Sequence, residues 1–506
     1  MNEQQPSTET ENVQEQKSSD FKQSLKTTGL FGGVQIYQIL IRIISSKFVA
    51  ILLGPAGMGI NGLLQSTTSI ISSVSGLGLG TSAIRDMSVS YSSLDKNRFF
   101  RTLSVFRHLV WYTGMLGFLV CLVGAPLWSK ISFGNYDYTI AFALIAVTLL
   151  FTQITSGQNV LLQSTRNFKL MAKSTLIGST IGLFLNIPLY YFWGYKGIVP
   201  SILAASVASL ALSTYFSHKV PSEKVQLTHK EVMHEGRNML NMGFFLMLQG
   251  FFELLCGYLV RIYISHTGTL TDVGLYNSGF TLVNTYVGMV FTAMATEYYP
   301  RLSSYSNDRQ KFTTAINQQI EISLLLIGPL ISLFLVFGDV AVVVLLSHKF
   351  LPITWMINWA MLAVFFRAGS NSIAFAFLAK ADTRSFWLNE LIANIVILIF
   401  NLLGYYLYGL TGLGLSYLAG YLYYNLQVIV TTKLKYGYVM DLALLKSFVP
   451  QVLISLAIIL IYVALGDIPR YLLGTLLVVL SGYISYKSLS KYMDVKAFIL
   501  KKVHRK

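Results

Sequence analysis

NIPLYYFWGYKGIVPSILAA, residues 186–205, returns 215 positions later as NLLGYYLYGLTGLGLSYLAG, residues 401–420. Asn186, Tyr190, Tyr191, Gly194, Gly197, Ser201, Leu203 and Ala204 pair with Asn401, Tyr405, Tyr406, Gly409, Gly412, Ser416, Leu418 and Ala419. Two more segments repeat in nearly the same register. The polar ladder Asn61, Gln65, Thr68 returns at an offset of 216 as Asn277, Thr281, Asn284. Thr165-Arg166-Asn167-Phe168 returns at 218 as Thr383-Arg384-Ser385-Phe386. Three segments within three residues of one offset imply two homologous halves. In an integral membrane protein, two parallel halves usually enclose a substrate path.

Composition sets the class. Of 506 residues, 54% are apolar and only 12% charged, against about 25% charged in a soluble domain. Apolar runs of helix-spanning length recur along the chain. Fourteen spans are expected, near 27–53, 57–82, 103–127, 139–162, 174–193, 197–216, 239–265, 273–297, 313–337, 353–378, 387–408, 411–432, 446–465 and 471–488. They are too long and continuous for barrel strands, which alternate over about ten residues. The expected fold is therefore an all-α integral membrane protein of about 14 helices. Two pseudo-symmetric six-helix lobes are followed by two C-terminal helices.

The expected domains are a disordered cytoplasmic tail over 1–26 and an N-lobe over 27–216. A polar linker over 217–238 leads to a C-lobe over 239–434. Spans 13 and 14 cover 446–488, and a basic tail runs over 489–506. The first 26 residues are polar and Gln/Glu/Ser/Thr-rich, unlike a signal peptide. Lys and Arg crowd one set of loops, from Arg85 and Lys96 through Arg166, Lys219, Arg301 and Lys380 to Lys446. The opposite set holds only Lys130, Lys196, Lys349 and Arg470. That asymmetry puts the basic loops and both termini in the cytoplasm. The net charge of +16 then needs no nucleic-acid partner; it follows from this bias and from attraction to anionic membrane lipids.

Cys121 and Cys256 fall within apolar spans, and no two histidines stand four apart on a helix, so neither a disulfide framework nor a metal site is expected. No phosphate loop, nucleophile elbow or zinc motif is present, which argues against an enzyme and against a cofactor. The outer loops are short, which argues against a membrane polymerase or acyltransferase. Any energy input would come from an ion gradient, H⁺ or Na⁺, from the membrane potential or from removal of product.

Polar stripes mark candidate binding faces. Gln35, Gln38, Arg42 and Ser45 recur at steps of three and four in the first span; Asn61, Gln65 and Thr68 do so in the second. Asn277, Thr281 and Asn284 follow suit in the eighth. Such stripes avoid lipid and face a wet cavity or another helix. Cations lie deep in several spans: Arg42 and Lys47 in the first, Arg261 in the seventh and Arg367 in the tenth. Each costs about 2.5–3.5 kcal/mol at mid-membrane, and guanidinium suits phosphate oxygens. The candidate substrate-binding residues are therefore Arg42, Lys47, Arg261, Arg367, Gln35, Gln38, Asn61, Gln65, Asn277 and Asn284. Glu321, with Asn317 and Gln318 beside it, and Glu253 are candidate ion-coupling residues or counter-charges of the arginines. Tyr423 and Tyr424 could stack on sugar rings or simply pack.

LGPAGMGINGLLQSTTSI (53–70), LLSHKF (345–350) and LAKADTRSFWLNEL (378–391) resemble the polysaccharide transport branch of the MATE-like flippases. Within that branch, the chain is most similar to the Wzx-type O-antigen and common-antigen flippases, over residues 27–435. The resemblance implies a V-shaped alternating-access exporter that moves an undecaprenyl-diphosphate-linked oligosaccharide from the inner to the outer leaflet of the bacterial cytoplasmic membrane. It implies partners among polysaccharide polymerase and assembly proteins. It carries no strict binding signature, so the site residues rest on the stripes and charges. A peptidoglycan-precursor flippase and a MATE-type drug or cation exporter are the alternatives.

Overall fold

A computed structural model describes residues 33–92, 95–223, 225–465 and 467–490. The N-terminal segment 1–26 and the basic tail beyond Ser490 lie outside the described residues. The described residues are all-α, without strands. The first half is α1 (Gly33–Leu52), α2 (Gly54–Gly76), α3 (Leu79–Ser92), α4 (Lys96–Val123), α5 (Ala125–Phe133), α6 (Thr139–Ser164), α7 (Phe168–Trp193) and α8 (Ile198–Ser217). The second is α9 (His229–Thr267), α10 (Leu270–Ser304), α11 (Arg309–Leu345), α12 (Thr354–Ala379) and α13 (Thr383–Tyr436). Two helices follow, α14 (Leu445–Ala464) and α15 (Asp467–Leu489).

The helix bounds themselves repeat. Thr139–Ser164 and Thr354–Ala379 begin and end 215 residues apart. Phe168 and Thr383 open α7 and α13 at that same separation. The turns before them share a left-handed residue, Arg166 at φ 56° and Ala381 at φ 55°. Each is closed by one hydrogen bond, Asn167 N to Leu162 O at 2.8 Å and Asp382 N to Phe377 O at 2.9 Å. The structure therefore sets one register of 215, and the T-R-x-F match at 218 is a three-residue slip along it. The ladder at 216 shifts by one for the same reason. A Cβ on Gly59 would lie 1.9 Å from Leu270 O, and one on Gly274 would lie 1.8 Å from Pro55 O. These reciprocal contacts pair Pro55 with Leu270 and Gly59 with Gly274, again 215 apart, and bring the backbones of α2 and α10 together.

Nine helical stretches among the described residues are long and apolar enough to cross a membrane, or up to ten with the bent α9 counted. Two of them, Phe168–Ser217 with 50 residues and Thr383–Tyr436 with 54, are too long for one crossing. At 1.5 Å per residue they would run about 75–80 Å against a hydrocarbon core of about 30 Å. Each reverses at a glycine, Gly194 (φ 53°, ψ −130°) and Gly409 (φ 57°, ψ −137°). Only glycine enters that region freely, so each stretch is a hairpin of two spans. The glycine-, serine- and threonine-rich α2 and the polar-striped α10 fall outside the nine.

The basic end of the fold is capped by carboxylates. Asp95, Asp308 and Asp382 accept from the backbone N–H groups that open α4, α11 and α13. The Ser385 and Tyr436 hydroxyls hold the Asp382 carboxyl well below the usual range. Arg101 is ion-paired to Glu231 at 3.3 Å and Glu235 at 2.5 Å. The polar stretch 217–238 is helical from His229 onward, because Glu231 reaches back to the Thr228 N–H at 2.8 Å and starts α9 there.

The described residues form two compact units. One extends to Leu53 and then covers Leu64–Phe251; the other takes Gly54–Leu63 and continues from Phe252. In the second unit, α14 and α15 dock on α11 through a buried amide. Gln451 donates to Ser485 Oγ at 3.0 Å and accepts from Ser481 Oγ at 2.5 Å. Gly328 of α11 leaves room for it: a Cβ there would meet Gln451 Cδ at 2.6 Å.

Candidate functional site

Within the second unit, two intramembrane arginines are held by neutral groups. Arg261 of α9 donates Nε–H to Asn277 Oδ1 at 2.6 Å and an Nη1 hydrogen to Gly257 O at 2.7 Å. Its guanidinium lies 5.7 Å from the Tyr276 ring centre. Arg367 of α12 donates from Nη1 to Asn284 Oδ1 at 2.6 Å and to the Tyr417 hydroxyl at 3.0 Å. It sits 5.6 Å from the rings of both Phe291 and Tyr421. Its buried Nε has no hydrogen-bond partner. Among the described residues, neither arginine has a carboxylate within the 4.0 Å of an ion pair. Amides and phenols orient a guanidinium without cancelling its charge, so neither cation is neutralised by its hydrogen-bond partners.

A run of rings joins the two arginines. Tyr276 meets Phe280 at 4.8 Å, Phe280 meets Tyr417 at 5.0 Å, and Tyr417 meets Tyr421 at 4.7 Å. Asn277 stands on Gly62, where a Cβ would be 2.0 Å from its Nδ2. Asn277 and Asn284 thus do in α10 what a polar stripe at helical spacing is expected to do, each serving one arginine.

A carboxylate that the sequence reading passed over completes this region. Glu390 of α13 accepts a hydrogen bond from the Tyr424 hydroxyl. Both line a cavity of about 300 Å³ with Asn371 of α12 and Gln319 of α11. Glu253 of α9 acts electrostatically on both Arg367 and Glu390 from beyond ion-pair distance. Glu390 was visible as a charge inside an apolar run, eight residues past the capping Asp382. Tyr424 is buried at 5% exposure, so it packs and bonds Glu390 rather than offering a stacking face. Glu321 faces elsewhere: its Oε1 accepts from Ser447 Oγ at 3.0 Å, which ties α11 to α14.

In the first unit, Gln38 and Arg42 of α1 line a chamber of about 330 Å³ with residues of α6, α7 and α8. Gln35 is exposed and Lys47 half-buried on the same helix. On α2, Asn61 is half-buried and Gln65 exposed. Neither lines that chamber. Arg107 donates to Ser222 Oγ at 3.2 Å. No cluster of three metal-ligating side chains occurs among the described residues.

A family model described as polysaccharide biosynthesis protein matches residues 48–355. The lipid III flippases of Escherichia coli (strain K12) and Shigella flexneri are each 21% identical over 396 residues, covering 75% of this chain and 90% of theirs. Among solved structures, the lipid II flippase MurJ in an inward closed conformation aligns with a TM-score of 0.63 at 14% identity. That alignment covers 92% of this chain and 99% of the other. An inward-facing MATE family multidrug resistance transporter of the MOP superfamily aligns at 0.66 and 14% identity, covering 81% and 96%. At such identities the structural likenesses establish a shared fold.

Proposed function

The chain belongs to the polysaccharide biosynthesis protein family, and from that premise we propose that it is a flippase for an undecaprenyl-diphosphate-linked oligosaccharide, an O-antigen unit or a similar repeat. It moves this cargo from the inner to the outer leaflet of the bacterial cytoplasmic membrane by alternating access, with both termini in the cytoplasm. The observation that carries the reading is the pair Arg261 and Arg367. Both are intramembrane, both are fixed by amide oxygens at 2.6 Å, and neither is neutralised by an ion pair among the described residues. Two guanidinium groups without an ion pair among the described residues, in a low-dielectric setting, suit an anion with several oxygens, which a diphosphate supplies. The glycan and the phosphates need this polar interior, whereas a prenyl chain is at home in lipid. Arg42 at the polar chamber of the first unit adds a third cation.

Glu390 is the carboxylate best placed for coupling. It lines the cavity of the second unit with Asn371 and Gln319, and Glu253 acts electrostatically on both it and Arg367. Glu321, bonded to Ser447, serves the docking of α14 instead. A peptidoglycan-precursor flippase is the second reading, supported by the fold shared with MurJ over 92% of this chain. Its cargo carries the same diphosphate, so the arginines serve both readings and the glycan separates them.

Complementation tests the reading. In cells lacking their own O-antigen flippase, the wild-type chain restores surface polysaccharide, whereas Arg367→Ala, present in the membrane at equal level, restores none. Normal display by Arg367→Ala would remove the anion site from the account.

A further inference from the structure

The duplicated register exposes a difference between the halves. In the first, the chamber of about 330 Å³ is walled by α1, α6, α7 and α8. Each wall position has a counterpart 215 residues on, and the two linings differ. Gly182 becomes Ile397, Asn159 becomes Ala374 and Ser209 becomes Tyr424. Ile397 lies so close to Gly420 that a Cβ there would meet its Cγ1 at 2.7 Å, while Tyr424 is buried. In the first half nothing closes on Gly182: the nearest atom to a Cβ there is Ala205 Cβ, at 3.9 Å. The first half thus keeps its space beside Gly182, where the second half packs Ile397 against Gly420, while Ala374, Glu390 and Tyr424 line the second half's own cavity.

The lining has a definite chemistry. Thr155 Oγ1 and Asn159 Oδ1, one turn apart on α6, are buried without hydrogen-bond partners. Their counterparts differ: Ser370 Oγ bonds Arg367 O at 3.2 Å and Ala374 has no polar atom. Asn186 Oδ1 is also unpartnered, but so is Asn401 Oδ1, so that feature belongs to the repeat. The remaining polar groups are hydroxyls and the Gln38 amide, with Arg42 as the one charge. Among the described residues, no aromatic ring and no carboxylate lines the space. A buried orphan acceptor costs about 1–3 kcal/mol unless something completes it. Water does so in the empty chamber, and a ligand rich in hydroxyl groups does so when bound. A metal cation is disfavoured by the guanidinium, and a hydrocarbon by the orphan oxygens.

We propose that this chamber is a subsite for a single pyranose ring of the lipid-linked glycan, its hydroxyls donating to Thr155 and Asn159 and an acceptor oxygen facing Arg42. The proposal rests on the flippase reading for its cargo but on this chamber alone for its site. It makes the first half the part of the molecule that reads sugar.

Saturation-transfer NMR on the full-length protein in detergent tests it, with methyl glycosides of hexoses, 6-deoxyhexoses, N-acetylhexosamines and hexuronates as probes. At least one glycoside receives saturation from the wild type. Gly182→Ile, which installs the residue of the second half, abolishes the signal. Thr155→Val, nearly isosteric, weakens binding about three- to ten-fold at an unchanged melting temperature. Absence of transfer to every glycoside, or equal transfer in Gly182→Ile, overturns the subsite. Sugar binding without any lipid translocation by the wild type would instead sink the flippase reading and leave the subsite standing.

Discussion

Arg367 concentrates the chemistry of the second half. A guanidinium carries five N–H donors; Nη1 serves Asn284 and Tyr417, while Nε is buried with none. Such a site is poised for an anion that takes up the remaining donors. Glu390, which lines the cavity of the same unit, is the titratable group proposed for coupling. Glu390→Gln keeps the Tyr424 contact and removes the titration, so translocation should lose its dependence on pH and on a proton gradient. Unchanged pH dependence in that variant would exclude the coupling role. Arg261, Arg367, Asn277 and Asn284 were legible in sequence because polar groups at steps of three and four stand out from an apolar run. Glu321 read as an ion-coupling residue or a counter-charge, and its bond to Ser447 was not legible because that residue lies 126 residues away on a helix outside the repeat. Arg42 was legible as a cation, but its neighbours on α6 to α8 were not, since no periodicity within α1 reveals which helices pack beside it.

At the scale of elements, two glycines govern the hairpins. Gly194 and Gly409 share one backbone conformation, and a Cβ at either meets nothing within 4 Å. Substitution there changes backbone strain without adding a clash. Gly409→Ala should cost about 1–3 kcal/mol and lower the melting temperature in detergent, and Gly194→Ala should do the same. Equal stability of either variant with the wild type would show that the turn tolerates a side chain and that the reversals are not glycine-dependent. The hairpins were readable from the glycine-bounded breaks between 174–193 and 197–216 and between 387–408 and 411–432. The register of the α6–α7 turn was not, because a three-residue slip preserves T-R-x-F while moving the left-handed residue. Where α9 begins within the expected linker 217–238 was not legible, because only the bond from Glu231 to Thr228 marks it.

The whole molecule is one architecture written twice and then specialised. Several positions that line the polar chamber of the first half differ in charge or bulk in the second. Gln38 corresponds to Glu253, Thr175 to Glu390 and Ser209 to Tyr424. One half offers hydroxyls and amides; the other gathers Arg261, Arg367, Glu253 and Glu390. The most direct measurement is transbilayer movement of a fluorescent undecaprenyl-diphosphate oligosaccharide in vesicles reconstituted with the purified protein. The account predicts that wild-type vesicles bring the lipid to the opposite leaflet and that Arg367→Ala vesicles do not. Movement at equal rate in both, or in neither while the wild type remains folded, would contradict it.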